Sequence, residues 1–375
     1  MRITAAARRH VIVLAAGCAL LAAGCGDDEG GGGGGGDAAS EGGAKGVKVA
    51  LVYQGALDDG GWNSSHQAAA EYLKKELPGT EIVEVADVDP GDEARKTFEE
   101  LAIAGNQLVI GTTFYEEDIL AVAQDFPDVK FLNWGGGETA ENVGQFSLAT
   151  EDGRYLDGLV AGNATKSGSI GYVGGYPIEE VVRGVNAFTR GVHEVKPDAK
   201  VRTVWVNSWY DPPKERQAAA SLADAGVDVL AAETNSPAVQ SVAQKRDIGA
   251  IGYGWDQSSR SPDVWLTSFT FDWGPYYLEQ AKAAADGSWT GEVYYGGLAD
   301  GVIGLSPFGP SVTPETEQLV EERRQQIADG ELDVFAGPIE DNGGKVVVAD
   351  GATIEPAERS LCCDWLIAGA EGSVK

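Results

Sequence analysis

Residues 47–53, VKVALVY, form a short apolar run that is typical of a buried strand, and the alternation that begins there decides the fold. A Gly-containing loop follows, and a helical pattern then runs from Ser64 to Leu77. The series continues with predicted strands at Glu81–Val85, Gln107–Ile110 and Val129–Trp134 and predicted helices at Asp92–Ala104 and Glu116–Asp125. Short apolar strands between amphipathic helices predict a parallel sheet that helices cover on both faces.

A second series of the same kind follows in the chain. Its predicted helices are Gly153–Thr165, Glu180–Val195, Pro213–Ala225 and Ala238–Lys245, and its predicted strands are Ile170–Val173, Val201–Val206, Val227–Ala231 and Ala250–Gly254. The part of the chain from about Val47 onward is too long for a single core. We therefore expect an α/β fold with two doubly wound parallel-sheet lobes.

Later elements make the chain cross between these lobes more than once. They are a strand at Val264–Phe269, a helix at Pro275–Ala285, a strand at Gly301–Leu305 and a helix at Pro314–Ala328. We assign residues 46–148 and 270–302 to an N-terminal lobe and residues 149–269 and 303–369 to a C-terminal lobe. Multiple crossovers act as a hinge, and ligands of open α/β sheets bind beyond the carboxyl ends of the strands. The cleft between the lobes is the predicted ligand site.

The loops at the predicted strand ends are rich in aromatic residues. These are Trp62, Phe114 and Trp134 in the first lobe and Tyr176, Trp205, Trp209 and Trp255 in the second. Aromatic faces stack on planar rings, and base–aromatic stacking contributes about 1–3 kcal/mol per base. Trp62 lies in the polar loop 58–63, which has little core to fill, whereas Trp205 lies inside a predicted strand and is equally compatible with a place in the core.

Polar side chains beside the aromatic residues add a hydrogen-bonding set. Asn207 can donate and accept, and Asp256 can accept, which suits the edge of a nucleobase. Asp211 precedes two prolines and is expected to cap a helix, so Asp256 is the stronger binding candidate. Adjacent acids at Asp58–Asp59 and Glu116–Glu117 are interpreted as solvated surface groups rather than a catalytic pair.

Composition excludes several function classes. The chain has 28 Lys and Arg against 58 Asp and Glu, a net charge of −30, so a nucleic-acid partner is not expected. The three histidines are scattered, and no metal-ligand spacing, phosphate loop or nucleophile motif occurs. We expect no enzyme activity, metal or cofactor. The adjacent Cys362 and Cys363 are expected to be free thiols, because a disulfide between neighbours is strained.

The first residues have the pattern of an export signal. Arg2, Arg8 and Arg9 precede the apolar run Val11–Ala23, which is too short to span a bilayer. The following Leu-Ala-Ala-Gly-Cys at residues 21–25 resembles a bacterial lipobox and predicts lipidation of Cys25. We expect a signal peptide at residues 1–24, a disordered tether at 25–45 and anchoring to the outer face of the cell membrane. Cys18 ends an earlier copy of the motif, and an ordinary signal peptide with incidental cysteines is the alternative.

Five motifs in the mature region resemble the basic membrane protein family. They are ALDDGGWN at residues 56–63, GGYP at 174–177 with Arg183-Gly184, WVNSWYDP at 205–212, WGPYY at 273–277 and FAGPI at 335–339. The family comprises substrate-binding lipoproteins of ABC importers, and the resemblance implies a type I periplasmic-binding-protein fold from Val47 to about Gly369. It also implies an ABC permease and its ATPase as partners, and we expect the protein to be a monomer.

The resemblance further implies that the ligand is a purine base or nucleoside. Aromatic residues at the positions of Trp62 and Trp209 sandwich the base in the nucleoside-binding branch, and Phe114, Trp255 and Tyr176 are further candidates. That branch has a sugar-binding lysine where this chain reads Phe269–Asp272, and an acid near Gly254 is also lost, whereas Asp256 survives. A free base is therefore favoured over a nucleoside. The alternatives are a sensor that serves a membrane signalling protein and a binder of another aromatic or sugar-like solute.

Overall fold

The computed structural model describes residues 46–355, 359 and 362–374. The predicted signal peptide, the tether and Cys25 lie outside these residues. Within them, no helix combines the length and the apolar character that crossing a membrane would require.

Strands and helices alternate along most of the described chain. In chain order, the strands are β1 (Lys48–Val52), β2 (Glu81–Val85), β3 (Leu108–Gly111), β4 (Lys130–Trp134), β5 (Val143–Leu148), β6 (Ser169–Gly174), β7 (Lys200–Trp205), β8 (Val229–Glu233), β9 (Gly249–Ile251), β10 (Trp265–Thr267), β11 (Phe269–Phe271), β12 (Val293–Gly296), β13 (Ile303–Leu305), β14 (Ile339–Glu340), β15 (Val346–Val348) and β16 (Ala370–Glu371). The α-helices are α1 (Trp62–Glu76), α2 (Asp92–Ile103), α3 (Glu116–Ala123), α4 (Thr150–Ala164), α5 (Glu179–Val195), α6 (Pro212–Asp224), α7 (Ala238–Arg246), α8 (Gly274–Asp286) and α9 (Pro314–Ala328).

Two six-stranded sheets form the frame of the molecule. The first has the order β12-β5-β4-β3-β1-β2 and the second β10-β9-β8-β6-β7-β16. All pairs within both sheets are parallel. The central strands β3 and β8 are fully buried, as expected when helices cover both faces of a sheet. The predicted α/β fold with two parallel-sheet lobes is confirmed.

The chain passes between the two sheets repeatedly. It leaves the first sheet after β5, and α4 packs on α5 of the second lobe. It then returns with α8, which packs on α1, and with β12, which pairs with β5. Finally it leaves again for α9 and β16, while β11 and β13 pair antiparallel at the crossing. These crossings are the predicted multiple connections, and the proposed lobe boundaries stay a prediction.

Sequence patterns miss two strands of the first sheet, β5 and β12. Polar residues interrupt the apolar pattern of β5. One of them, Gln145, is nevertheless fully buried. Its side chain accepts a hydrogen bond from Asn133 on β4 at 2.8 Å and donates one to the carbonyl of Glu138 at 2.6 Å. A buried amide with partners for both of its groups is compatible with a core strand, although its residue type suggests a loop.

The prediction of free thiols at Cys362 and Cys363 is wrong in this structure, in which their sulfurs are joined as a disulfide. The pair is held in a packed segment rather than at a loose chain end. Cys363 is buried, and the following residues are fixed to α5, because Asn186 donates to the carbonyl of Trp365 at 2.9 Å and accepts from the backbone N–H of Ile367 at 2.8 Å.

Candidate functional site

A cavity of about 690 Å³ lies between the lobes, at the carboxyl ends of strands from both sheets. Its volume is within the usual range for small-molecule sites. Aromatic residues of both lobes line it, and they are Trp62, Phe114 and Trp134 from the first lobe and Tyr176, Trp209, Tyr210 and Tyr253 from the second. The predicted cleft at the carboxyl ends of the strands therefore contains a cavity with aromatic walls.

Trp62 is held firmly in the first-lobe wall. It is the first residue of α1, and its indole N–H donates to the carbonyl of Thr112 after β3 at 2.8 Å. Its ring meets that of Trp134 edge-on with centroids 4.7 Å apart, and those of His66 and Phe271 at 4.8 and 5.1 Å. Such edge-to-face contacts are favourable, so the part of the ring that faces the cavity has a fixed orientation.

The start of α1 depends on Asp59. Its buried carboxylate accepts hydrogen bonds from the backbone N–H groups of Gly61, Asn63 and Ser64 at 2.9, 3.0 and 3.1 Å. It thereby satisfies N–H groups that a helix end leaves unpaired. Burial raises the pKa of Asp59, while these hydrogen bonds oppose the rise. The interpretation of Asp59 as a solvated acid is therefore wrong, since the loop needs this carboxylate to place Trp62.

Trp209 belongs to the short segment between β7 and α6. Its ring meets that of Tyr176 at 5.1 Å, and its carbonyl accepts from the N–H of Asn235 at 2.9 Å. The ring also lies directly over Gly175, where an added Cβ would be 2.6 Å from an indole carbon. Glycine at this position allows the close approach. After Trp209, the carboxylate of Asp211 caps α6 by accepting from the N–H of Lys214, as predicted.

Not every predicted ligand residue reaches the cavity. Trp62, Phe114, Tyr176 and Trp209 line it, whereas Asn207, Trp255 and Asp256 do not. Asn207 is exposed, and exposed Asp256 accepts a hydrogen bond from the N–H of Ser258 at 2.9 Å. Trp255 and Asp256 lie beyond the end of β9, where the chain has turned toward the short helical turn Ser258–Arg260. The binding role of all seven residues stays a prediction.

Sequence patterns also miss Glu180, which lines the cavity from the first turn of α5. Burial raises the pKa of its carboxyl to about 7, the positive charge of Arg183 opposes this rise, and the negative charges of Glu233 and Glu151 add to it. The preceding motif at residues 174–177 is a signal that could direct attention to this turn. Glu180 stands beside Glu179, however, and acids at a helix start are common for electrostatic reasons alone.

The cavity is acidic. Asp59, Asp87, Asp89 and Glu180 line it, and no Lys, Arg or His is found among its described lining residues. In the described part of the chain, no group of three or more His, Cys, Asp or Glu side chains is arranged to hold a metal ion. The site has the character of a pocket for a neutral or cationic organic ligand rather than that of an anion or metal site.

The two lobes touch beside the cavity. The side-chain N–H₂ of Gln257 in the second lobe donates to the carbonyl of Gly60 in the first at 2.9 Å. Gly61 lies so close to the second lobe that an added Cβ would be 2.9 Å from the carbonyl oxygen of Asn235. The structure is therefore a closed arrangement on this side of the cleft.

Two parallel-sheet lobes that close over a cavity with aromatic walls define a solute-binding protein with a type I periplasmic-binding-protein fold. The chain belongs to the PnrA-like family of ABC transporter substrate-binding proteins, whose family model matches residues 46–334. The family binds solutes and does not catalyse reactions, which confirms the prediction that the chain is not an enzyme.

Similar proteins agree with this assignment. The chain is 38% identical over 327 residues to the purine-binding protein BAB2_0673 of Brucella abortus, and the match covers 87% of this chain and 93% of that protein. It is 36% identical over 292 residues to the putative ABC transporter glucose-binding protein TsgA13 of Haloferax volcanii, covering 78% and 74%. A solved solute-binding protein of an ABC transporter system from Conexibacter woesei is 27% identical, with a TM-score of 0.67 over 76% of this chain and 98% of that one.

Proposed function

We propose that this protein is a lipid-anchored, extracytoplasmic receptor of an ABC importer that captures a purine base or nucleoside between its lobes, with the base favoured. One observation carries the proposal: Trp62 and Trp209, from different lobes, line a single cavity. Two indoles on opposite walls suit a flat aromatic ligand, and closure of the lobes would bring them together on it. The relative from Brucella abortus is named as a purine-binding protein, which supports this ligand class.

The charges of the cavity narrow the ligand further. A nucleotide carries phosphate groups, and a wall with four acids and no described basic residue would repel them. An uncharged base or nucleoside avoids this repulsion. The region Phe269–Asp272 contains no lysine that could bind a sugar. Its Phe271 packs on Trp62, and its Asp272 accepts a hydrogen bond from the N–H of Gly274 at 3.3 Å. The absence of this lysine removes one contact to a sugar, which favours the base over its nucleoside.

A sugar is the second candidate ligand, because the relative from Haloferax volcanii is named as a putative glucose-binding protein. Aromatic faces beside carboxylates can hold a sugar ring as well as a base. Mass spectrometry of the small molecules that co-purify with the protein would separate these candidates. Calorimetry with adenine, hypoxanthine, guanine, their nucleosides and glucose then ranks them, and exclusive binding of glucose would refute the purine assignment.

Anchoring is tested independently of the ligand. Cys25 precedes the packed domain, so Cys25→Ser should release the protein from the membrane fraction and leave its melting temperature unchanged. Cys18→Ser is the matched control and should leave the protein on the membrane. Membrane retention of Cys25→Ser, together with the absence of a lipid-modified peptide in the wild-type protein, would contradict the anchor.

A further inference from the structure

Glu180 is an acid of the second-lobe wall of the cavity. No other described residue holds its carboxyl by a hydrogen bond or an ion pair. It lies beside Tyr176, at the first turn of α5. Buried acids nearby have protein partners: Glu233 interacts with Tyr172 and Arg154, and Glu151 with Arg183. Within the described part of the chain, the carboxyl of Glu180 makes no hydrogen bond or ion pair. The side chain of Glu180 is half-buried and borders the cavity, so a ligand that fills the cavity would remove the carboxyl from water and supply the partner that it needs there.

We propose that the carboxyl of Glu180 reads the hydrogen-bonding edge of the bound ring and contacts it as a neutral carboxylic acid. This inference rests on the proposed function, because it takes the ligand to be a purine. A neutral carboxyl has a donor O–H beside an acceptor oxygen. It therefore matches a ring edge that places one donor beside one acceptor, as the amino group and ring nitrogen of adenine do. The N–H and carbonyl of hypoxanthine offer the same pair.

The surroundings of Glu180 favour the neutral form. Negative groups face it from several elements, namely Glu233 at the end of β8, Glu151 on α4, and Asp59, Asp87 and Asp89 across the cavity. Arg183 on its own helix is the opposing positive group, but this guanidinium is already 3.0 Å from Glu151 and donates to the carbonyl of Arg359. Tyr253 completes the wall and stays neutral, because burial raises its pKa well above the usual value.

The protonation state makes binding depend on pH in a defined direction. Burial raises the pKa of Glu180 to about 7 in the ligand-free cavity, so the neutral fraction falls from about nine-tenths at about pH 6 to about one-tenth at about pH 8. If only the neutral form binds, affinity for adenine falls about tenfold over that interval. Adenine and hypoxanthine are themselves largely uncharged over this interval, so the ligand does not produce this change.

The test is calorimetry of adenine and hypoxanthine binding to the full protein at about pH 6 and about pH 8, with Glu180→Gln and Glu180→Ala. Glutamine keeps a donor beside an acceptor but cannot ionise. We expect Glu180→Gln to bind about tenfold more tightly than the wild-type protein at about pH 8 and to lose the pH dependence. Glu180→Ala should bind more weakly than Glu180→Gln at both values. Melting curves of both variants check that they fold.

The outcomes separate this inference from the function on which it rests. Wild-type binding that does not change with pH, or equal losses in Glu180→Gln and Glu180→Ala, would overturn the role of Glu180 while the protein remained a purine receptor. Wild-type binding that strengthens at higher pH would show that the ionised carboxylate is the binding form and would also overturn it. Failure of every purine base and nucleoside to bind at either pH would instead refute the proposed function.

Discussion

The two walls of the cavity are built differently. Trp62 in the first wall has four aromatic neighbours, with ring centroids between 4.7 and 5.5 Å away, and a hydrogen bond from its indole nitrogen. Trp209 in the second wall has a single such neighbour among the described residues, Tyr176. The first wall is thus part of a core, and the second is a ring on a short connection. A receptor of this kind can fix the plane of its ligand with one wall and adapt to its shape with the other.

Replacement of Trp62 by alanine is expected to have the largest effect. Because the ring is packed on one side and lines the cavity on the other, the change should lower the free energy of unfolding by about 3 kcal/mol and weaken ligand binding as well. Sequence alone suggests a loop residue whose removal barely affects stability. Thermal melts without ligand distinguish a loss of stability from no loss. An unchanged melting temperature would show that Trp62 is not part of the core.

Replacement of Trp209 by alanine should give the opposite profile. Binding of the proposed purine ligand is expected to weaken by about 1–3 kcal/mol, which is about tenfold to a hundredfold, with little change in the melting temperature of the free protein. Trp255→Ala is the matched control, since Trp255 is a partly exposed indole of the same lobe outside the cavity lining. Equal losses of affinity in both variants would contradict the assignment of Trp209 to the wall.

A methyl group added at Gly61 should destabilise the closed form of the protein and leave the open form unaffected. Its Cβ would meet the carbonyl of Asn235 across the cleft, so Gly61→Ala should weaken binding severalfold, by about 1 kcal/mol, as a result of crowding. The open, ligand-free form would lack this clash, and its melting temperature should hardly change. Gly137→Ala is the control, because no atom lies within 4 Å of the added Cβ there. Unchanged affinity in Gly61→Ala would indicate that ligand binding does not require this contact.

The smallest effect is expected for Asp256→Ala. The carboxylate is exposed, lies outside the cavity lining and holds only the N–H of Ser258, so ligand affinity should stay within about twofold of the wild-type value. Titration of both proteins with the same base provides the measurement. A tenfold loss would mean that the second wall extends farther than the structure indicates and that Asp256 is a ligand residue, as its sequence position suggests.

Periodicity and residue size predict part of the site. The strand at residues 47–53 and the alternation after it place Trp62 and Trp209 at strand ends, and the cavity lies there. Sequence could not predict which acids would line the cavity, because Asp59 and Glu180 each stand beside another acid and resemble surface charge. The partners of Asp59 are only two to five residues away, whereas the charged neighbours of Glu180 include Glu233, which is distant in the chain. Asp256 also lies near a strand end, but that position does not fix the direction of the turn that follows.

The position of β12 at the edge of the first sheet has a consequence for biosynthesis. This strand pairs with β5, yet about 140 residues, which include most of the second lobe, separate the two strands in the chain. A polypeptide that emerges from its N-terminus therefore presents the open edge of β5 until that whole stretch has followed. Contacts between such distant segments form slowly, and an unpaired strand edge invites association with other chains. The period between synthesis and completion of the first sheet is thus when this protein most needs protection from aggregation.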